Sequence, residues 1–190
     1  MKKFKFLLLS ACIALVACTT KTSSEQQVSD KGTKWSWDKG TIVVETPERP
    51  AEQTSVIGLT IPKMEVVRVG FVGLGMRGPG AVERFTYIPG VEIVALCDYE
   101  KERAEKCQKY LQRASMPKAA IYSGEKGYEE LCKRDDIDLV YIATDWLHHF
   151  PVAMCAMENN KNVAIEVPSA MDLKECWALV NMSEKTRKHC

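Results

Sequence analysis

The sequence predicts an α/β fold in which helices cover both faces of a doubly wound parallel sheet. Two observations carry this prediction. From residue 66 onward, short apolar runs rich in β-branched residues alternate with longer amphipathic segments, and a glycine-rich segment directly follows the first apolar run. Strand and helix patterns that alternate in this way are typical of βαβ units, whose strands lie parallel to one another.

The predicted elements follow one another with short connections. The patterns predict strands over 66–72, 91–97, 138–143 and 162–167 and helices over 79–87, 100–114, 125–133, 150–159 and 173–188. Pro79 stands in the first turn of its helix, where proline is favoured, and Asp172 and Glu175 form a capping box before the last helix. No strand pattern follows that helix, so we expect the sheet to be incomplete in this chain and a second, catalytic α/β domain to lie outside it.

The glycine-rich segment has the spacing Gly-x-Gly-x-x-Gly at Gly73, Gly75 and Gly78. The first glycine allows a tight turn, the second lets a phosphate approach the backbone, and the third lets the next helix pack close to the sheet. Asp98 ends the second strand, twenty residues after Gly78, where a carboxylate can accept hydrogen bonds from the adenosine ribose. Together they predict a dinucleotide site of the Rossmann type. The alternative is that the glycines only form turns and Asp98 only caps a helix.

The same carboxylate bears on the choice of cofactor. Asp98 would repel the 2′-phosphate of NADP, and no arginine directly follows it, since the next residues are Tyr99 and Glu100. The sequence therefore favours NAD over NADP.

A second group of candidate residues follows the third and fourth predicted strands. Ligands of open α/β sheets bind beyond the carboxyl ends of the strands, so we expect Trp146, His148, His149 and Glu166 near the nicotinamide end of the cofactor. The alternative is that Trp146 packs and that one histidine only caps or solvates the next helix. For His148 both interpretations stay open; for His149 and Glu166 a functional role is favoured.

The composition, 46% hydrophobic and 27% charged, is that of an ordinary globular protein. Lys and Arg number 26 against 25 Asp and Glu, and no basic patch is visible, so we expect no nucleic-acid partner. The six cysteines after residue 18 show no metal-ligand spacing, and all but the last stand in strand or helix patterns. Buried free thiols are favoured over disulfides.

Residues 1–17 resemble a bacterial lipoprotein signal peptide. Three lysines precede an apolar stretch, 6–16, that is too short to span a bilayer. The segment Leu15-Val16-Ala17-Cys18 resembles a lipobox, which implies that Cys18 is acylated and becomes the first mature residue. A second lipobox-like segment ends at Cys12, but cleavage there would leave an apolar region that is too short for a signal peptide. We expect a lipid-anchored protein of the cell envelope.

We expect three regions along the chain: the signal peptide at 1–17, a flexible tether and amino-terminal arm at 18–64, and the dinucleotide-binding domain at 65–190. The first part of the arm is polar without apolar periodicity, which suits a tether. Trp35, Trp37 and the strand-like run 41–44 are too apolar for a linker.

Four segments carry a resemblance to the Gfo/Idh/MocA group of NAD(P)-dependent sugar-converting proteins, and within it to glycoside hydrolase family 109, the NAD-dependent α-N-acetylgalactosaminidases. The segments are 73–85, 132–141, 144–146 and 164–168. Thr144, His149 and Ala153 match the group's pattern after the fourth strand. Most members have Glu-Lys-Pro where this chain has Glu166-Val167-Pro168, so an ordinary sugar dehydrogenase that uses the lysine is disfavoured.

The resemblance implies a set of cofactor contacts. Met76 and Arg77 would meet the pyrophosphate, and Asp98 the adenosine ribose. The remaining contacts would come from two segments, Trp146, Leu147, His148 and His149 at the nicotinamide half and Glu166 and Val167 at its ribose. None of these is the catalytic base, which is expected beyond Cys190.

The implied reaction is cleavage of a glycoside with a terminal α-linked N-acetylgalactosamine. The sugar is transiently oxidised at C3, the aglycone is eliminated, water adds, and NAD is regenerated in each cycle. Two alternatives stay open: an exported NAD-dependent sugar oxidoreductase, and a non-catalytic nucleotide- or glycan-binding lipoprotein.

Overall fold

The computed structural model describes residues 26–29 and 32–190. The predicted signal peptide and Cys18 lie outside the described residues. The chain divides into two compact units, Met1–Glu45 and Thr46–Cys190. Within the described part of the chain, no helix is both long enough and apolar enough to cross a membrane.

The first unit contains an antiparallel sheet of three strands, β1 (Gln27–Val28), β2 (Lys34–Asp38) and β3 (Thr41–Val44). Lys39 and Gly40 join β2 to β3 with φ values of 47° and 83°, as in the two-residue turns that favour hairpins. Trp35 lies opposite Val44 and Trp37 opposite Ile42, which places all four on one face of the sheet. A strand, β1, thus lies within the segment that the sequence predicted to be a tether.

The second unit, all of which the structure describes, alternates strands and helices. The elements are β4 (Val67–Val72), α1 (Gly78–Phe85), β5 (Val91–Asp98), α2 (Lys101–Arg113), β6 (Ala120–Ser123), α3 (Gly127–Cys132), β7 (Leu139–Ile142), α4 (Trp146–Glu158), β8 (Asn162–Ile165) and α5 (Leu173–Thr186). The strands form one sheet in the order β6-β5-β4-β7-β8, and every pair is parallel. The predicted doubly wound α/β fold is confirmed.

The two faces of the sheet carry separate cores because side chains alternate along each strand. Phe71 and Leu96 pack on one face with residues of α1 and α2, among them Val82 and Leu111. Val140 and Ile142 are among the residues that pack on the other face with α3, α4 and α5. Strands β4 and β7, between which the winding direction reverses, lie side by side within the sheet.

Within the second unit, the sequence missed one strand and misplaced several boundaries. Edge strand β6 has only four residues and is half-buried, so its pattern is too short to stand out. Helix α4 begins at Trp146 rather than at 150, because Asp145 caps it by accepting a hydrogen bond from the backbone N–H of Leu147 at 2.9 Å. Strand β8 ends at Ile165, and α5 ends at Thr186, where Arg187 takes the left-handed conformation (φ 56°) that glycine usually provides.

Candidate functional site

A cleft of about 860 Å³ lies across the carboxyl ends of the five parallel strands. This is within the usual size of a ligand site, and its place at the reversal of the strand order is where open α/β sheets bind ligands. The cleft is lined by ten of the residues predicted from the sequence, Gly73, Gly75, Met76, Arg77, Asp98, Trp146, His148, His149, Glu166 and Val167. Gly78 and Leu147 are not part of its lining.

The three glycines of the motif have three different environments. A Cβ on Gly73, whose φ is 90°, would lie 2.5 Å from the backbone of Ala143 and Thr144. A Cβ on Gly78 would lie 2.0 Å from the carbonyl oxygen of Gly73. Fold packing therefore requires glycine at both positions. At Gly75 the nearest atom is a guanidinium nitrogen of Arg103 at 3.6 Å, so open space remains there for a phosphate to approach the backbone.

Asp98 is buried at the end of β5 and does more than the sequence predicted. Its Oδ2 accepts a hydrogen bond from the backbone N–H of Leu74 at 2.6 Å, and its Oδ1 accepts one from the N–H of Glu100 at 2.9 Å. The carboxylate thus fastens the glycine-rich loop to β5. A carboxylate has about four acceptor positions, so Asp98 retains capacity for a ligand hydroxyl.

Arg103 is a cleft residue that the sequence analysis missed. It lies in the first turn of α2, with Nη1 at 3.6 Å from Oδ1 of Asp98 and Nη2 at 3.0 Å from Oε1 of Glu100. Arg103 does not directly follow Asp98, but the first helical turn brings this residue, five positions later, back to the carboxylate. The periodicity of the predicted helix is the sequence signal that could have identified Arg103.

His149 is buried, being only 1% exposed, and lines the cleft from the first turns of α4. Its Nδ1 lies 2.8 Å from the carbonyl oxygen of Pro168. A carbonyl only accepts hydrogen bonds, so Nδ1 donates, and in a neutral ring Nε2 is then an acceptor. Nε2 is buried and has no partner. Because an unpaired buried acceptor is costly, this atom indicates a ligand that donates a hydrogen bond.

His148 lies beside the residue that caps α4 and also lines the cleft. Its Nδ1 lies 2.6 Å from Oδ2 of Asp145, the residue that caps the same helix, and its ring also lines the cleft. Although partial burial raises the pKa of Asp145, the hydrogen bond and charge of His148 outweigh it and hold that pKa below its ordinary value. Both side chains are exposed.

The rim of the cleft is apolar and exposed. Met76 is 91% exposed, Val167 82%, Leu147 72% and Trp146 59%. Trp146 therefore does not pack in the core of this chain. Exposed apolar groups clustered around a cleft mark a surface that a ligand or another part of a protein covers.

The cysteines after residue 18 are all free. Burial raises the pKa of Cys97 to about 12 and of Cys107 to about 11, so these thiols behave as small apolar side chains. Cys176, which we expected to be buried, is exposed. Among the described residues, no group of three or more His, Cys, Asp and Glu is placed to hold a metal ion.

The cleft residues fit a dinucleotide on two observations: the open space over Gly75, and the unpaired Nε2 of His149 at the opposite half of the cleft. The fold and the site therefore define a nucleotide-binding protein of the Rossmann class. The chain belongs to the Gfo/Idh/MocA oxidoreductase family, whose NAD-binding Rossmann-fold domain matches residues 67–190.

Comparison with known proteins gives closer relatives within the glycoside hydrolases. The chain is 74% identical over 192 residues to glycosyl hydrolase family 109 protein 5 of Phocaeicola vulgatus, covering 100% of this chain and 37% of that protein. It is 58% identical to family 109 protein 1 of Bacteroides thetaiotaomicron, covering 98% of this chain and 38% of that one. The chain thus spans little more than a third of the length of these curated relatives.

Among solved structures, the chain is similar to myo-inositol dehydrogenase from Lactobacillus casei in complex with NAD(H) and myo-inositol. The TM-score is 0.54 at 27% sequence identity, and the match covers 62% of this chain and 33% of that one. The similarity therefore extends to a protein whose structure contains the dinucleotide.

Proposed function

We propose that this chain is the NAD-binding part of an enzyme that cleaves glycosides with a terminal α-linked N-acetylgalactosamine. The sugar is oxidised at C3, the C2 proton becomes acidic, the aglycone is eliminated, water adds, and the sugar is reduced again. The observation that carries the proposal is the 74% identity with a family 109 glycosyl hydrolase over the whole chain.

When bound, NAD supplies the acceptor for the C3 hydrogen and its electron pair and returns them at the end of the cycle. The residues of this chain bind and orient it. The glycine-rich loop leads into α1, whose amino-terminal N–H groups attract the pyrophosphate. Arg77 lines the cleft beside this loop and adds a positive charge, while Asp98 receives the adenosine ribose.

The nicotinamide half of the cofactor is assigned to the other side of the cleft. Nε2 of His149 accepts a hydrogen bond from it, which removes the cost of an unpaired buried nitrogen. Trp146 covers it with an apolar surface that excludes water, and Glu166 and Val167 meet its ribose. Acid–base groups for the sugar are expected outside residues 1–190, so we propose that this chain alone binds NAD without turnover.

The cycle also suits the location that we propose, the cell envelope with Cys18 acylated as a membrane anchor. An exported enzyme has no cytosolic pool with which to reoxidise NADH. A reaction that ends with NAD restored needs only one tightly held cofactor.

A second candidate, an NAD-dependent sugar oxidoreductase, is favoured by the 27% identity with a myo-inositol dehydrogenase. The absence of lysine at position 167, where Val167 stands, argues against it. The two candidate activities are distinguished by assaying a protein of the relatives' length that carries this chain. We expect free sugar from an aryl α-N-acetylgalactosaminide without accumulation of NADH, which is followed by its absorbance. NADH formed in proportion to sugar would favour the oxidoreductase instead.

A further inference from the structure

One carboxylate of the cleft is held by a residue of the sheet interior. The hydroxyl of Tyr141 in β7 donates a hydrogen bond to Oε1 of Glu166 at 2.6 Å. Tyr141 pairs with Ala164 of β8, and Glu166 follows two residues later on the same face of the sheet. The bond therefore connects the packed interior to the edge where the cleft begins.

The ring of Tyr141 is fixed by two other aromatic rings. Its centroid lies 5.2 Å from that of Phe71 in β4 and 5.3 Å from that of Phe85 in α1, and these two rings are 5.2 Å apart. Distances of this size are typical of favourable aromatic pairs. Three elements thus hold the ring, and the position of its hydroxyl is determined by the fold.

The hydroxyl is also held in its donating form. Burial is the main cause that raises the pKa of Tyr141 above its ordinary value, and the hydrogen bond to Glu166 raises it further. A neutral phenol has one proton to donate, and the carboxylate is its partner. Oε2 of Glu166 takes part in no hydrogen bond among the described residues. One carboxylate oxygen is therefore anchored, and the other is available to a ligand.

We propose that Tyr141 is a positioning residue, whose hydroxyl fixes Glu166 so that the second carboxylate oxygen accepts a hydrogen bond from the ribose on the nicotinamide side of NAD. This rests on the proposed function, which assigns that ribose to Glu166. An acceptor held in one orientation before binding loses less conformational freedom when the ligand arrives. The alternative is that the bond only satisfies the hydroxyl of a half-buried tyrosine.

The test is a calorimetric titration of the chain with NAD and, separately, with ADP, which has the adenosine half but lacks the second ribose. The variants are Tyr141→Phe, Glu166→Ala and the double variant. Tyr87→Phe is the matched control, because Tyr87 is 75% exposed and outside the cleft. Tyr141→Phe keeps the aromatic packing and removes only the hydroxyl.

We expect Tyr141→Phe to weaken NAD binding about three- to tenfold, less than the loss of a whole hydrogen bond to a charged group, because the hydroxyl acts only through Glu166. ADP binding should stay unchanged, and the double variant should be no weaker than Glu166→Ala alone. A purely structural tyrosine would change both ligands equally or neither.

The variants distinguish a failure of the positioning role from a failure of the proposed function. If Glu166→Ala weakens NAD binding while Tyr141→Phe does not, the positioning role is wrong and the proposed function stands. If Glu166→Ala leaves NAD binding unchanged, both the ribose contact and the positioning role are wrong. If the unaltered chain binds no NAD, the proposed function itself fails.

Discussion

Asp98 and Leu74 are joined by a hydrogen bond of 2.6 Å between the carboxylate of one and the backbone N–H of the other. The bond ties the second residue of the glycine-rich loop to the end of the neighbouring strand. The geometry of the loop therefore depends on a side chain 24 residues away. In the proposed site, the residue that recognises the ribose also shapes the phosphate loop.

Replacement of Asp98 by alanine should consequently have two effects. We expect NAD binding to weaken by about 1–3 kcal/mol, and the free energy of unfolding to fall because the N–H of Leu74 loses its partner in a buried position. Calorimetry measures the first effect and urea denaturation the second. Asp135→Ala is the control, since Asp135 is exposed and lies outside the cleft. Equal NAD affinity in the Asp98 variant would refute the assignment.

The glycines at 73 and 75 should respond differently to the same substitution. We expect Gly75→Val to abolish NAD binding without unfolding the protein, because the nearest atom to a Cβ there, apart from chain neighbours, is Nη1 of Arg103 at 3.6 Å. Gly73→Val should destabilise the fold, by about 1–3 kcal/mol from the left-handed backbone alone and further through its contact with Ala143. Circular dichroism with urea measures stability. A Gly75 variant that still bound NAD tightly would contradict the phosphate contact.

The unpaired nitrogen of His149 predicts a loss of NAD binding in addition to a loss of stability. His149→Phe removes the bond to the carbonyl of Pro168, which should cost about 0.5–1.5 kcal/mol of unfolding free energy. NAD affinity should fall about tenfold, the equivalent of one such bond. His189→Phe, at an exposed position outside the cleft, is the control. An unchanged thermal stabilisation by NAD in the His149 variant would remove His149 from the site.

Acid sensitivity is predicted from an ion pair far from the cleft. Arg68 donates two side-chain hydrogen bonds to Asp138, at 2.8 and 2.9 Å. These hydrogen bonds are the largest influence on the pKa of Asp138. They lower it, although burial acts in the opposite direction. A carboxyl whose pKa is lower in the folded state stabilises the fold above its unfolded pKa, and this contribution is lost as the pH falls through the folded value.

We therefore expect the unfolding free energy of the wild type to drop between about pH 5 and pH 2 more steeply than that of Asp138→Asn. Urea midpoints across this range measure the difference. Parallel curves for the two proteins would show that the pair contributes nothing to acid sensitivity.

The sequence predicted the parallel sheet because strand and helix periods are local signals, and it predicted most of the cleft because parallel strands end at one edge. It could not find β6, whose four residues form a strand only by pairing with β5. It could not find the bond between Tyr141 and Glu166 either, since that depends on the register of two strands. The unpaired Nε2 of His149 depends on the carbonyl of a loop 19 residues later.

The most direct test of the account is the isotopic composition of the product. A protein of the relatives' length that carries this chain is supplied with NAD and an α-linked N-acetylgalactosaminide in deuterated water, and the released sugar is analysed by mass spectrometry and NMR. Transient oxidation at C3 makes the C2 proton acidic, and elimination removes it, so we expect deuterium at C2 of the free sugar. Release of the sugar with hydrogen retained at C2 would contradict the proposed mechanism.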